Sequence, residues 1–400
     1  MTKEKSTVPR LRFPGFTDAW KQRKLGEFMK ESKILGSKGD IARKLTVRLW
    51  GRGVVSKKEI YSGSSATQYY IRKSGQFIYG KLDFLNQAFG IIPPELDGYE
   101  STLDSPAFDL LKGINGQFLL EFVSRKEFYY YQGNIANGSR KAKRIHTETF
   151  LGMPISLPTL PEQEAIGNFF SDLDQLITLH QRKLDDVKEL KKALLQKMFP
   201  KGNGNDFPEL RFPEFTDAWK QRKLGEVAEM YSGGTPSVGR KDYYAGGIPF
   251  IRSAEINSDT TELYLTELGL NNSSAKMVSK GSLLYALYGA TSGEVGLSRL
   301  DGAINQAILA ILPNDDLTTE FLMYWLRREK SIIVEKYLQG GQGNLSAGIV
   351  KQLAPTFPTL PEQEVIGSFF SDLDQLITLH QRQLDHLKLL KKALLQQMFI

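Results

Sequence analysis

The chain contains two nearly identical copies of a sequence frame. Residues 11–27 read LRFPGFTDAWKQRKLGE, and residues 210–226 repeat this segment with 16 of 17 positions identical. Residues 158–199 begin with PTLPEQE, and they match residues 358–399 at 35 of 42 positions. We call these paired segments the frame. A repeat of this size predicts two structurally equivalent units within one chain.

Each frame copy encloses an insert, and the two inserts differ. Residues 28–157 and 227–357 have almost equal lengths but share almost no matching letters. Both alternate short β-rich runs with stretches typical of helices, of which Thr318–Leu338 is the clearest. In the first insert we predict a helix for SPAFDLLKG and for LLEFVSRKEFYYY, and strands within FIYGKLDFLNQAFGII. This mixture predicts an α+β domain in each insert.

The second frame segment predicts a long helix in each copy. Thr159 and Glu162 have the spacing of a capping box, and Phe199-Pro200 followed by glycine and asparagine predicts the helix end. Within the helix, apolar residues and one histidine recur at alternating spacings of four and three, which is typical of a coiled-coil seam. The predicted helix-pairing residues are Ile166, Phe170, Leu173, Ile177, His180 and Leu184 in the first copy, and Ile366, Phe370, Leu373, Ile377, His380 and Leu384 in the second.

Two such seams predict that the long helices pair with each other. A helix of about 39 residues extends roughly 58 Å, and an antiparallel pair lets the second insert begin and end at the same end of the rod. The sequence therefore predicts an α+β fold with two globular domains separated by two long antiparallel helices and related by pseudo-two-fold symmetry. The predicted boundaries are 1–157 for the first domain, 158–200 for the central helix, 201–209 for a linker, 210–357 for the second domain and 358–400 for the C-terminal helix.

Further apolar residues flank the seam, including Phe169, Leu176, Leu179 and Leu195. The apolar stripe is therefore wider than two paired helices require. Two explanations stay open at this point. The extra residues pack against the chain's own domains, or they dock partner subunits.

Composition limits the possible functions. Fifty-two Lys and Arg residues against 45 Asp and Glu residues leave a net charge of +7, which favours a polyanionic partner without requiring one. The absence of cysteine excludes disulfides and thiol chemistry, and the four histidines are too scattered to form a metal cluster. We find neither a membrane-spanning run nor a signal peptide, so we expect a cytoplasmic chain that does not act at a membrane.

The inserts contain no complete catalytic motif that we recognise. The segment GQFIYGKL at residues 75–82 approaches a P-loop, but Leu82 occupies the position of the hydroxyl that must bind Mg²⁺. HExxH, GxSxG and the Asn/Asp-Pro-Pro-aromatic tetrapeptide of amino-methyltransferases are all missing from the sequence. We therefore expect a non-catalytic protein that binds neither a cofactor nor a metal itself.

Basic residues and neighbouring aromatic or polar side chains in both inserts predict contacts with DNA. The candidates in the first insert are Arg48, Arg52, Tyr69, Tyr70, Arg72, Lys73, Arg140, Lys141, Lys143 and Arg144. Those in the second insert have side chains suited to base edges, and they are Arg252, Ser253, Tyr288, Thr291, Gln342 and Asn344. The alternative for each cluster is a solvated polar surface without a ligand.

Over essentially its full length, the chain resembles the DNA specificity subunits of type I restriction-modification systems. The resemblance rests on LPEQE, FFSDLDQLITLHQR and KKALLQ, each of which occurs twice. It rests also on YSGGTPS, SAKMVSKGSLLYALYGATSGEVG and QGGQGNLSA in the second insert. The first insert has no clear copy of QGGQGNLSA and carries GNIANGSRKAKR instead, so the resemblance identifies its contact residues less sharply.

The resemblance implies two target-recognition domains, each of which reads one half of a split sequence in double-stranded DNA. It also implies docking of two methyltransferase subunits and two motor-nuclease subunits, so that S-adenosylmethionine, ATP and Mg²⁺ are expected on these partners. The alternative that we keep is a coiled-coil scaffold protein without sequence-specific DNA binding. A self-contained modification enzyme would need the cofactor motifs that we do not find.

Overall fold

The computed structural model describes residues 8–58, 63–135, 144–201, 207–338 and 344–400. Its contacts divide the chain into two compact units. Unit 1 consists of Met1–Gln181 and Arg382–Ile400, and unit 2 consists of Arg182–Gln381. Each unit therefore contains one insert and a part of each long helix. The two division points, after Gln181 and after Gln381, are equivalent positions in the two frame copies.

The helices include two that are much longer than the others. They are α1 (Gly116–Ser124), α2 (Lys126–Ile135), α3 (Thr147–Leu151), α4 (Leu160–Lys197), α5 (Leu224–Val227), α6 (Glu267–Asn271), α7 (Thr319–Leu338), α8 (Ala347–Gln352) and α9 (Leu360–Met398). The long helices α4 and α9 are the two that the frame predicts, and α7 is the helix predicted near the end of the second insert. The predicted helix LLEFVSRKEFYYY forms α1 and α2.

The strands of unit 1 form a four-stranded antiparallel sheet, a three-stranded sheet and two two-stranded ribbons. They are β1 (Lys21–Lys24), β2 (Met29–Ser32), β3 (Leu35–Lys38), β4 (Leu45–Val47), β5 (Val54–Ser56), β6 (Gln68–Ile71), β7 (Phe77–Tyr79), β8 (Phe89–Ile91), β9 (Glu100–Ser101), β10 (Ala107–Leu110) and β11 (Pro154–Leu157). The larger sheet has the order β2-β10-β7-β8, and the smaller has the order β3-β6-β9. The ribbons are β1-β11 and the hairpin β4-β5.

The strands of unit 2 form two four-stranded sheets and one ribbon. They are β12 (Lys220–Gln221), β13 (Ala228–Ser232), β14 (Tyr244–Ile251), β15 (Tyr264–Leu265), β16 (Lys276–Val278), β17 (Leu283–Ala286), β18 (Val295–Leu297), β19 (Gly302–Ile304), β20 (Ile308–Pro313) and β21 (Thr356–Phe357). The sheets have the orders β13-β20-β17-β18 and β15-β14-β19-β16, and the ribbon is β12-β21.

The two inserts share a sheet although their sequences differ. In unit 1, β2 pairs with β10, which also pairs with β7 of the β7-β8 hairpin. In unit 2, β13, β20, β17 and β18 pair in the same order, and all of these pairings are antiparallel. A helix follows the second strand of the order in both units, α1 after β10 and α7 after β20. The duplication therefore extends to the core of the inserts, whereas the second sheets differ between the units.

The helix predicted for SPAFDLLKG is wrong, because this segment contains β10. Ala107 and Phe108 are completely buried, and β10 pairs with a strand on each side. Pairing on both edges satisfies the backbone there and overrides the local helix preference. The strand prediction for FIYGKLDFLNQAFGII is confirmed by the β7-β8 hairpin, which encloses a short 3-10 helix at Phe84–Asn86.

The long helices are antiparallel within unit 1, as the frame predicts. Lys391 of α9 donates a hydrogen bond to the Asp174 carboxylate of α4 at 2.7 Å. Nearer the start of α4, the Phe170 ring lies 6.0 Å from the ring of Phe399, which directly follows α9. The early part of α4 therefore lies beside the end of α9, so the two helices run in opposite directions in this unit.

Unit 2 repeats this antiparallel contact with the helices exchanged. Lys191 of α4 donates to the Asp374 carboxylate of α9. The ring of Phe199, which lies just beyond α4, is 6.2 Å from the Phe370 ring of α9. The same four frame positions therefore hold the helix pair together in each unit.

The first part of each predicted seam belongs to a domain core. Ile166, Phe170 and Leu173 are buried in unit 1 in one cluster with Phe118 of the insert. Ile366 and Phe370 are buried in unit 2 with Phe321, and Leu373 packs partly buried against them. Leu184 and Leu384 are buried as well, and the partly buried members of the seam are Ile177, His180, Ile377 and His380.

The capping box predicted for Thr159 and Glu162 is not what fixes the start of α4. Glu162 is completely buried, and its two carboxylate oxygens accept hydrogen bonds from Nε and Nη2 of Arg12 at 2.6 and 2.7 Å. Arg211 and Glu362 make the same pair in unit 2, at 2.7 Å for both bonds. A tertiary ion pair between the two frame segments therefore replaces the local cap.

Candidate DNA interface

Arg48 and Arg52 lie in the loop of the β4-β5 hairpin of unit 1. The N–H of Arg48 donates to the carbonyl of Gly53 at 2.9 Å and closes the hairpin. Both arginine side chains are exposed. Within the described part of the chain neither guanidinium pairs with a carboxylate, so the loop presents two available positive charges. Such charges are suited to phosphate contacts.

Tyr69 and Tyr70 lie on β6, next to cationic side chains. The Lys44 ammonium is 5.4 Å from the centre of the Tyr69 ring, and the Arg72 guanidinium is 5.7 Å from the centre of the Tyr70 ring. Both tyrosines are partly buried, and Lys73 just beyond the strand is exposed. The cation–π contacts fix the rings on the domain, so Lys73 is the group of this cluster that faces solvent.

The structure places Arg72 in the interior of unit 1, although the sequence predicts it within a surface cluster that contacts DNA. Its side chain is completely buried. Nε donates to the Ser101 hydroxyl at 2.7 Å, and Nη1 donates to the carbonyl of Ser32 at 2.8 Å. Burial lowers the pKa of Arg72 to about 10. Because its donors are directed at the protein interior, Arg72 organises the strand ends of unit 1 and is not part of the exposed surface.

The basic run near the end of the first insert falls mostly outside the described residues. This applies to Arg140, Lys141 and Lys143. Arg144 is described, and its exposed guanidinium lies 3.1 Å from the carboxylate of Asp104. Both partners of this ion pair are exposed, so the pair contributes little to stability and can exchange for a phosphate.

In unit 2, two of the predicted positions approach each other through the backbone. The N–H of Leu345 donates to the carbonyl of Leu287 at 3.0 Å, which places Asn344 beside the segment that carries Tyr288. Asn344 is exposed, and Tyr288 is partly buried against the domain core. Thr291, partly buried, follows in the loop between β17 and β18, whereas Gln342 lies outside the described residues.

Arg252 occupies a different part of unit 2, directly after β14. It donates to Glu255 Oε1 at 2.8 Å and to Glu262 Oε2 at 2.6 Å. Burial alone would raise the pKa of Glu255, but hydrogen bonds from Arg252 and from backbone N–H groups lower it to about 2. Ser253 begins the adjoining 3-10 helix and is partly buried. Arg252 is therefore committed to two carboxylates and would have to exchange Glu262 for a base.

The described residues show neither a metal-binding cluster nor a membrane-spanning helix. They contain no group of three or more His, Cys, Asp or Glu side chains arranged to hold a metal ion. None of their helices is long and apolar enough to cross a membrane.

Sequence comparison identifies the family. The family model described as the type I restriction modification DNA specificity domain matches this chain twice, over residues 18–189 and 216–389. The chain belongs to this family. Each specificity-domain match spans most of the first frame segment, one complete insert and most of one long helix.

Curated relatives of this specificity-domain protein carry the same family name. A putative type I restriction enzyme MjaX specificity subunit from Methanocaldococcus jannaschii is 23% identical over 285 residues, which cover 70% of this chain and 65% of the relative. The type I restriction enzyme HindI specificity subunit from Haemophilus influenzae is 26% identical over 223 residues, which cover 54% of this chain and 45% of the relative. The chain thus spans less than two thirds of the length of these relatives.

Solved structures share the fold of this specificity-domain protein at low sequence identity. The S subunit of a type I restriction-modification system from M. genitalium matches with a TM-score of 0.63 and 13% identity, covering 98% of this chain and 99% of that one. A chain from a study of complex assembly and conformational transition of the type I R-M system matches with a TM-score of 0.54 and 18% identity, covering 95% and 97%.

Proposed function

We propose that this chain is the DNA sequence-specificity subunit of a type I restriction-modification enzyme. In this proposal each unit reads one half of a bipartite target in double-stranded DNA, and the long helices set the spacer between the halves. The observation that carries the proposal is the double match to the DNA specificity domain, on one frame with two dissimilar inserts. A scaffold protein would not need different surfaces on a duplicated frame.

The target is asymmetric in this proposal. A symmetric dimer reads a palindrome, because its two reading surfaces are identical. Here the frame and one sheet are duplicated, but the exposed candidates differ, with Arg48 and Arg52 in unit 1 and Asn344 in unit 2. Two different short sequences are therefore the expected half-sites.

Two methyltransferase subunits dock on the frame in this proposal, and exposed leucines support this. Positions 176 and 376 are 40% and 38% exposed, positions 179 and 379 are 47% and 52% exposed, and positions 190 and 390 are 51% and 40% exposed. All six positions are leucine on α4 or α9. Apolar side chains exposed at equivalent frame positions suit two copies of one partner. Two motor-nuclease subunits then complete the restriction complex.

The chain performs no chemistry itself in this proposal, and it acts in the cytoplasm. S-adenosylmethionine is assigned to the methyltransferase subunits, and ATP and Mg²⁺ are assigned to the motor-nuclease subunits. The support is the lack of a complete cofactor or nucleophile motif in the sequence.

Mapping of methylated adenines in a genome tests the proposal directly. The chain is expressed with a type I adenine methyltransferase subunit that it retains on co-purification, in cells that lack other methylation, and the methylated motif is read by sequencing. The expected motif is bipartite and asymmetric. Exchange of residues 28–157 for the insert of another specificity subunit should change one half-site, and exchange of residues 227–357 should change the other. A palindromic motif, or an exchange that alters both halves, would contradict the proposal.

A further inference from the structure

Trp50 stands out among the tryptophans of the chain because it is exposed. The sequence contains four tryptophans. Trp20, Trp219 and Trp325 are buried, with exposed fractions of 4%, 2% and 9%, whereas Trp50 is 57% exposed. It lies in the loop of the β4-β5 hairpin, between Arg48 and Arg52. A large aromatic ring in this position adds nothing to the core of unit 1.

The backbone of Trp50 adopts a conformation that disfavours any residue with a side chain. Its φ is +63°, in the left-handed region, where glycine is the usual residue. Two hydrogen bonds to the segment before β8 hold this conformation. The N–H of Trp50 donates to the carbonyl of Asn86 at 2.7 Å, and the N–H of Gly51 donates to that of Gln87 at 3.0 Å. A strained backbone maintained by its surroundings is typical of functional positions.

The hairpin itself is packed closely on the core, so the tip is well positioned. A Cβ atom on Gly90 of β8 would lie 2.5 Å from Cγ2 of Val54 on β5, so only glycine permits this approach. Phe84, which begins the 3-10 helix leading to Asn86, is completely buried. The backbone that carries the Trp50 ring is therefore fixed in position on the core of unit 1.

The charge around Trp50 points to a nucleic acid as the partner. Residues 41–58 include six lysines and arginines and not a single aspartate or glutamate. Arg48 and Arg52 flank the ring and are exposed, and Leu49 beside it is 37% exposed. Lys44 of this segment is buried, but two exposed arginines with an exposed apolar ring between them complement a phosphate backbone with stacked bases between the strands.

We propose that Trp50 stacks on bases of the DNA half-site that unit 1 reads, while Arg48 and Arg52 hold the phosphates on either side. This inference rests on the proposed function and adds to it a specific contact. An inserted aromatic ring separates neighbouring base pairs, so the cost of opening that step contributes to sequence preference.

Tryptophan fluorescence gives a direct test, because the other three indoles are buried. The full chain is titrated with a mixed-sequence 40-base-pair duplex and, separately, with a duplex that contains the methylated motif. Stacking should quench the accessible emission of the wild-type chain, and Trp50→Phe should lose this change. Unchanged wild-type emission at saturating duplex would overturn the inference.

Affinity measurements with matched variants complete the test. Loss of one stacked ring should weaken binding of Trp50→Ala to the motif duplex by about fivefold to a hundredfold, whereas Trp50→Phe should retain most of the affinity. Leu389→Ala, which removes an even more exposed apolar side chain from α9, should bind like the wild type. If Trp50→Ala binds as tightly as the wild type but no longer retains the methyltransferase subunit, the ring faces a protein and the inference is wrong.

A glycine variant separates folding from recognition. Trp50→Gly relieves the left-handed strain, so the chain should be at least as stable as the wild type while its affinity falls as in Trp50→Ala. Wild-type affinity of Trp50→Gly would overturn the inference even if bipartite methylation is observed. Absence of motif-specific binding by the wild-type complex would instead contradict the proposed function.

Discussion

The Gln163 side chain accepts a hydrogen bond at Oε1 from the backbone N–H of Asn115, at 3.0 Å, where the helix after the central sheet of unit 1 begins. Its Nε2 donates to the carbonyls of Gly113 and Pro158. In unit 2, Gln363 accepts from the N–H of Thr318 at 3.0 Å. Both glutamines belong to the repeated LPEQE segment and bind only backbone atoms. These two frame glutamines therefore hold each insert through its backbone, and this contact does not depend on the insert's side chains.

Replacement of Gln163 by leucine should destabilise unit 1. The variant loses three hydrogen bonds of a buried amide, at about 1 kcal/mol each, so we expect a loss of about 2 to 4 kcal/mol in the free energy of unfolding. Urea unfolding combined with hydrogen exchange measures the effect in each unit. Gln363→Leu is the matched control and should affect unit 2 instead. An equal loss of protection in both units for either variant would contradict this assignment.

The pair of Arg12 and Glu162 should behave as a buried ion pair. Arg12→Met leaves a completely buried carboxylate without its guanidinium, which costs about 3 to 5 kcal/mol. The double variant Arg12→Met/Glu162→Met should recover most of this loss, because it leaves no buried charge. Thermal and urea unfolding of the single and double variants provide the thermodynamic cycle. Additive losses would show that the two groups do not interact.

Glu121 should make the stability of unit 1 depend on pH. Burial raises the pKa of this α1 carboxyl above its ordinary value of 4.5, and although Lys391 opposes the shift, Asp174 adds to it. The folded state therefore binds the proton more tightly than the unfolded state. The stabilisation is complete below about pH 4.5 and is lost as the pH rises through the raised pKa.

The test compares wild type with Glu121→Gln in urea unfolding between pH 4 and pH 8. The variant should match the wild type at the acidic end and become the more stable protein as the pH rises, because glutamine cannot ionise. Lys391 keeps Asp174 as a partner in the variant. Glu127→Gln, an exposed change on α2, should show no such trend. A difference that grows toward acid would have the wrong sign.

The features that could be predicted from the sequence are those encoded locally or by repetition. The two long helices follow from apolar residues at spacings of three and four, and their pairing follows from the duplication. The identity of the frame also predicts that Asp174 and Asp374 each pair with a lysine of the other long helix. These inferences need no knowledge of distant contacts.

The features that could not be predicted depend on residues far apart in the chain. Arg72 sits beside Lys73 and two tyrosines in the sequence, but its burial is fixed by Ser32 and Ser101 from other strands. Trp50 carries no motif, and its left-handed conformation depends on the carbonyl of Asn86. Its position between two arginines was the signal available in the sequence.

Arg48 and Arg52 should contribute to the salt dependence of DNA binding. Each lost phosphate contact reduces the slope of log affinity against log salt by about 0.9, so the double alanine variant should bind a mixed-sequence duplex with a slope shallower by about 1.8. Fluorescence anisotropy over a range of salt concentrations measures this slope. Arg23→Ala is the control, because Arg23 is exposed in the same unit but pairs with Glu27. Weaker binding with an unchanged slope would argue against phosphate contacts.

The last prediction concerns the spacer of the proposed bipartite target. The boundary between the units falls after Gln181 in α4 and after Gln381 in α9, at equivalent positions. Four helix-forming residues inserted at both points lengthen each helix by about 6 Å, since each residue adds about 1.5 Å. They leave the insert of each unit untouched. One base pair extends the DNA by about 3.4 Å, so the methylated motif should keep both half-sites and gain one or two base pairs between them.

The same insertion in α4 alone shifts one helix against the other and should abolish motif-specific methylation. Methylated-adenine mapping distinguishes these outcomes, and a changed half-site or an unchanged spacer in the double insertion would show that the helices do not set the distance.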